Sequence, residues 1–198
     1  MPTLTFNKLM NHWSTVRTHR KWVRKYCFLA GIPWRGITHD LSKYSPTEFL
    51  ESARYWTGTG SPITQAKKAQ GYSKAWLHHR GRNTHHWAYW ADNFSEGLTV
   101  SRMPKDDFVE MVCDFIAAGR AYSGLSFTYA GELEWWQRER DKSCRAMNEH
   151  DKKLLDIIFD DFEKAENPEK YRVPRDTMPT PEDLIKQGYI QMIWETNK

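Results

Sequence analysis

Seven of the eight histidines of this chain precede residue 87, and six of them fall with one aspartate into three groups: His19, then His39-Asp40, then His78-His79 with His85-His86. Scattered core histidines rarely cluster in this way. Neutral imidazole and carboxylate are the ligands that divalent manganese, iron, cobalt, nickel and zinc accept, and a set without thiolates suits the harder and borderline members of that series. The groups point to a catalytic centre holding one or two divalent metal ions (Mn, Fe, Co, Ni or Zn). His12 has no such companion and reads as a core residue or as a hydrogen-bond partner behind a ligand.

Such a centre needs elements that bring distant side chains together. The apolar spacing is helical almost throughout, with few β-branched runs of strand length, so the expected class is all-α. The first helix should run from about Phe6 to Ala30 and stop at Gly31, with Pro33 just beyond. At about 100° per residue, His12, Val16, His19, Val23, Tyr26 and Ala30 share its inner face, while Arg17, Arg20, Lys21, Arg24 and Lys25 form a solvated stripe on the far side. A short turn over Ile37–Lys43 precedes Ser45-Pro46-Thr47-Glu48, which reads as N-cap, first-turn proline and capping-box glutamate of a helix reaching about Trp56. Gln65–His79 and Thr84–Trp90 are expected helices on either side of the break Arg80-Gly81-Arg82-Asn83. From Pro104 a helix should reach about Tyr122, burying Phe108, Met111, Val112, Phe115, Ile116 and Gly119, with Asp114 at the margin. Glu132–Met147, His150–Ala165 and Leu184–Trp194 complete the set, the last begun by Thr180-Pro181-Glu182-Asp183. Residues 1–166 then form the metal-binding body. Residues 167–198, with Pro168, Pro174, Pro179 and Pro181, read as a linker or wrapped arm and an accessory segment.

The ordered set His19, His39-Asp40, the later histidine pairs and Asp114 resembles the HD-domain superfamily of all-α metal-dependent phosphohydrolases, in which a His, an adjacent His-Asp pair, further His residues and a closing Asp recur. His39-Asp40-Leu41-Ser42-Lys43 also carries that superfamily's common downstream lysine. The stretch from Gly36 to Pro46, together with His78-His79-Arg80-Gly81-Arg82-Asn83-Thr84-His85-His86, is similar to a bacterial and phage family of unknown function. The resemblance covers roughly residues 10–125 and implies an HD-like helical bundle with a C-terminal helical extension. It further implies that His19, His39, Asp40 and Asp114 hold one metal, and that Asp40 bridges to a second held by one His of each later pair. His79 and His86 are taken ahead of His78 and His85, whose seven-residue spacing is the same, and one imidazole of each pair is expected to point outward. Asp107, two turns before Asp114 on one stripe, is the substitute for it.

The activity implied is hydrolysis of a small anionic phosphoester by metal-activated water, nucleotides being the commonest precedent of the superfamily. Asp40 and Lys43 are the expected catalytic residues, and Lys43, Arg80 and Arg82 the expected phosphate contacts. Two other readings share the ligands: a di-iron oxygenase of the HD type, and a non-catalytic protein that keeps metal for folding.

Composition bounds the rest. At 198 residues and 23.5 kDa one core is expected, and 14% aromatics, including 10 Trp, reconcile a mean hydropathy of −0.78 with a packed body. Trp34, Trp56, Trp76, Trp87, Trp90, Trp135 and Trp136 read as core and seam residues. Cys27, Cys113 and Cys144 are odd in number and far apart, which favours buried thiols over disulfides or a cysteine zinc site. A net charge of +4 suits an anionic substrate and is too small to imply nucleic acid; the basic stripe of the first helix would matter only if it continued across the folded surface. The apolar runs are too short for a membrane span and the N-terminus lacks a signal-peptide core, so a cytoplasmic protein is expected. Nothing in the sequence sets the oligomeric state.

Overall fold

Thr5 opens the first helix, its hydroxyl accepting from the Lys8 amide, and α1 runs over Phe6–Leu29 until Gly31, at φ +73°, turns the chain as only glycine does readily. The computed structural model describes residues 2–95 and 97–197, with the side chain of Phe94 excepted. The inner face of α1 is the expected one: His12, Val16, His19, Val23, Tyr26 and Cys27 are buried. Pro33 does more than mark an end, because it is the first residue of a short helix, α2 (Pro33–Thr38). A Cβ on Gly36 would lie 2.7 Å from the Cβ of Cys27 and 3.1 Å from the Cα of Arg24, so glycine lets the backbone of α2 rest directly on α1.

Ser45 caps α3 (Pro46–Arg54) by accepting from the Glu48 amide. The single helix expected over Gln65–His79 is two, α4 (Pro62–Gln70) and α5 (Lys74–Arg80), because Gly71 at φ +80° ends the first and Ser73 caps the second. Glu51 clamps that break, accepting from Ser73 Oγ at 2.7 Å, the Ala75 amide at 2.6 Å and Gln70 Nε2 at 2.9 Å. Helix is also absent from most of Thr84–Trp90, where a 3-10 turn at Trp87–Tyr89 leads into an antiparallel hairpin, β1 (Ala91–Phe94) and β2 (Gly97–Val100), paired Ala91 to Val100. With that small exception the described residues are all-α.

The central helix, α6 (Lys105–Ser123), is buried along most of Asp107–Ala117 and packs against α1. Around it lie α7 (Tyr129–Arg140), α8 (Glu149–Glu166), α9 (Pro181–Lys186) and α10 (Tyr189–Thr196). The expected Leu184–Trp194 helix is interrupted at Gly188, φ +79°, after an α9 that Thr180 and Asp183 open with a reciprocal capping box. Ile185 and Ile190 join Val23, Phe108, Trp136 and Phe159 in one core, so the segment expected as accessory buries its apolar side chains with those of residues 1–166. All three cysteines are free and buried. No helix among the described residues is long and apolar enough to cross a membrane.

Candidate metal centre

His19 projects from the inner face of α1, and Asp114 from the face of α6 that meets it. His39 and Asp40 arrive together from the turn after α2. His39 is extended (φ −47°, ψ 129°), and Asp40 adopts the left-handed conformation (φ 55°, ψ 26°), unusual for a residue with a side chain. Both are buried, at 2% and 1% exposure. Arg20 holds this turn from outside, donating to the carbonyls of His39 and Ile37 at 2.8 Å each. It thus satisfies carbonyls at the end of α2 rather than standing free in the solvated stripe where the helical phase put it.

Four ligand atoms converge at this point. His19 Nε2 lies 3.1 Å from Asp114 Oδ1, 3.4 Å from His39 Nε2 and 3.5 Å from Asp40 Oδ2. His39 Nε2 lies 3.1 Å from Asp40 Oδ2 and 3.5 Å from Asp114 Oδ1. Ligands each about 2.1 Å from one divalent ion stand about 3.0–3.4 Å from one another, so this spacing fits an ion. The other oxygen of Asp40 faces a second group: Oδ1 is 3.1 Å from His79 Nε2 and 3.5 Å from His85 Nε2. One ligand atom from each of Asp40, His79, His85 and His86 lies within 4.8 Å of the others. The Nε2 atoms of His85 and His86 are buried without a hydrogen-bond partner, a costly arrangement unless their lone pairs meet a cation.

Two glutamates aim these rings. Glu110 Oε1 accepts from Nδ1 of His39 at 2.8 Å and lies 3.2 Å from Nδ1 of His85, while its Oε2 takes Arg35 at 2.9 Å. Glu48 accepts from Nδ1 of His79 at 2.7 Å and of His78 at 2.6 Å. With Nδ1 protonated toward a carboxylate, Nε2 is left as the free lone pair that a metal takes. Burial opposes charge on His39 and His79, but Asp40 and the neighbouring carboxylates outweigh it and hold both imidazoles up, a positive charge that a bound cation would replace. Burial opposes charge at Asp40 and Asp114, but the imidazoles beside them, and Lys43 beside Asp40, hold both carboxyls well below the usual range. Burial, followed by His85 and His79, pushes His86 well down and keeps it neutral.

Of the residues expected from sequence, His19, His39, Asp40, His79, His86 and Asp114 come together, and His85, held as an alternate, joins them. The expectation that one ring of each pair points outward holds for His78, which only braces Glu48, and fails for His85-His86. No helix carries that second pair, so the helical phase that would separate two neighbours does not apply; both rings turn inward, their centroids 4.3 Å apart. Asp107 is not a stand-in for Asp114: its carboxylate binds Arg35 at 2.7 Å and the Thr84 hydroxyl. Lys43 is in the cluster, Nζ 2.5 Å from Asp40 Oδ2. Arg82 is exposed and only approaches the carbonyl of His78 at 3.5 Å, and Arg80, at the end of α5, makes no described contact with the cluster. His12 packs on Phe49, ring centroids 5.2 Å apart.

Glu110 and Glu48 are members of the candidate site that sequence reasoning missed. The first carried a signal: Asp107, Glu110 and Asp114 form an acidic stripe on a face otherwise made of Phe108, Met111 and Val112, and buried acids need internal partners. Glu48 was hidden by its fit to a capping box. Ser45 does cap the Glu48 amide, yet the carboxylate turns to the histidines. Residues 8–161, a span that contains every member of the cluster, match a family described as a family of unknown function (DUF5662). No curated protein and no solved structure matches the chain.

Proposed function

Since this chain belongs to the DUF5662 family, whose function is unknown, its chemistry has to be read from its own side chains, and we propose that it is a metal-dependent phosphohydrolase acting on a small anionic phosphoester. One divalent ion would sit on His19, His39, Asp40 and Asp114, and a second on Asp40, His79, His85 and His86. The observation that carries the reading is Asp40, a buried carboxylate whose two oxygens face two separate sets of imidazole lone pairs. When bound, a pair of divalent ions supplies a nucleophilic water near neutral pH and balances charge in a displacement at phosphorus.

The chain's own part is positional and electrostatic. Glu48 and Glu110 fix the tautomer and orientation of His79, His39 and His85. Lys43 has a side chain about a quarter exposed (27%), placing an ammonium at the rim of the cluster where a phosphate oxygen can reach it. Burial disfavours its charge, but Asp40 and Asp114 outweigh that and hold its pKa up, so it meets substrate as a cation. With Arg80 and Arg82 outside the cluster, phosphate recognition is assigned to Lys43 alone. A nucleotide is the first substrate to try.

The test is elemental analysis of protein purified without added metal, followed by turnover of aryl phosphates, phosphodiesters and nucleotides with manganese, cobalt or nickel. We expect about two ions per chain and hydrolysis that persists without oxygen. His39→Ala with Asp40→Ala should abolish both while the helical circular-dichroism signal stays. Turnover by a folded, metal-free double variant would reject the proposal, as would a protein that holds only iron, consumes oxygen and hydrolyses no phosphoester.

A further inference from the structure

The net charge of +4 hides a strong polarity. Residues 1–91 hold fourteen lysines and arginines against three acids, whereas residues 92–198 hold fifteen against twenty-two. Those three acids are all turned to internal use: Asp40 and Glu48 are buried in the metal cluster, and Glu51 clamps the break between α4 and α5. The surface of this half is therefore left to its cations.

The cations are most ordered on α1, in a stretch from Met1 to His39 that contains no acid. Trp13, Arg17, Lys21, Arg24 and Phe28 follow one another at intervals of three or four residues and form one exposed row about 22 Å long, opposite the face that carries His19. Arg17, Lys21 and Arg24 make no ion pair among the described contacts. Arg17 lies over the Trp13 ring at 4.5 Å, and a shallow groove is lined by Lys21, Arg24, Lys25 and Phe28. Past the turn at Gly31, in the α2 that rests on α1, Trp34 is 75% exposed. Like charges one turn apart destabilise a helix, and no acid on α1 offsets them.

We propose that this outer face of α1 binds single-stranded nucleic acid, with backbone phosphates on Arg17, Lys21 and Arg24 and unpaired bases stacked on Trp13, Phe28 and Trp34. Cations at one-turn intervals suit a polyanion, and flat exposed rings at the ends of the row suit unstacked bases rather than a closed duplex. A membrane-inserting helix would present a continuous apolar face, whereas here cations hold the middle of the row. A second copy of the chain is a poorer match, because acids of α8 are already paired within the molecule: Asp156 with Arg140, Asp160 with Lys164, Glu163 with Lys170. The proposal does not rest on the phosphohydrolase reading.

It is tested by fluorescence anisotropy with labelled mixed-sequence DNA and RNA strands of about 20 nucleotides, starting at about 50 mM salt. Affinity should fall with salt at a log–log slope of about −2, the value for three phosphate contacts on a single strand. Arg17→Ala/Lys21→Ala/Arg24→Ala should lose at least about tenfold in affinity and flatten that slope, whereas Trp34→Ala should weaken binding about fivefold or more at unchanged slope. Lys142→Ala/Lys153→Ala, exposed cations of the other half, should bind as wild type. His39→Ala with Asp40→Ala should also keep binding, so that loss of catalysis and loss of binding are told apart. The proposal is overturned if neither strand binds, if the triple α1 variant binds as well as wild type, or if the protein prefers phosphatidylserine vesicles to oligonucleotides. Sedimentation showing that the α1 cations instead drive self-association would overturn it as well.

Discussion

Glu110 serves three partners with two oxygens, the rings of His39 and His85 on one and the Arg35 guanidinium on the other. A brace of this kind sets which nitrogen of each ring is free, so its loss should be felt in metal affinity before it is felt in folding. Glu110→Ala is expected to weaken metal binding about 10–100-fold, measured by competition against a chromophoric chelator. The histidine pairs provide a sharper contrast. His86→Ala should reduce the metal content from two ions to one, because its Nε2 faces Asp40, His79 and His85. His78→Ala should leave two, because among the described contacts that ring meets Glu48 and no ligand atom of the cluster. Equal metal content in the two variants would show that the second group of imidazoles is not a site.

The helices meet closely where glycine replaces a side chain. Gly36→Ala would place a Cβ 2.7 Å from Cys27 on α1, and overpacking between two backbones should cost about 1–3 kcal/mol in a urea titration. At the contact of α6 with α7, Gly119 leaves room for the buried carboxyl of Glu132; burial, reinforced by the charge of Asp114, pushes that carboxyl up to about 8. A folded-state pKa above the unfolded one means that the native chain holds a proton the unfolded chain releases. This contribution is fully present below pH 4.5, declines as pH rises toward 8 and is lost above it. Glu132→Gln should remove this part of the slope, which is at most about 1.4 kcal/mol per pH unit, and should gain on wild type as pH rises from 5 to 9 in parallel denaturation curves.

Ile185, Ile190 and Ile193 of the last two helices belong to the core built by α1, α6 and α8, and Gln191 reaches the Ala30 carbonyl at the end of α1. The C-terminal segment thus helps hold the two helices that carry His19 and Asp114. Ile190→Ala should cost about 2–5 kcal/mol of global stability and lower the cooperative melting temperature of the whole chain. A melt in which only a minor fraction of the helical signal shifts would show instead that these residues form a separate unit. Charge is also unevenly distributed along the chain, residues 1–91 being cationic and residues 92–198 acidic, and the cluster draws side chains from both.

Much of this was legible from local rules. The inner face of α1, and with it the inward direction of His19, follows from the 3.6-residue repeat; the starts at Ser45 and Thr180 follow from the chemistry of caps; the all-α class follows from the absence of alternation. Such features depend on neighbours within a turn or two. The inward turn of both His85 and His86 and the use of Glu48 and Glu110 as braces depend on contacts between distant parts of the chain. Glu110 and His39 are 71 residues apart, and Glu48 and His79 are 31 apart. Periodicity is silent at such separations, because a buried carboxylate is tolerated only where folding delivers its partner, and that pairing exists only once the helices have packed.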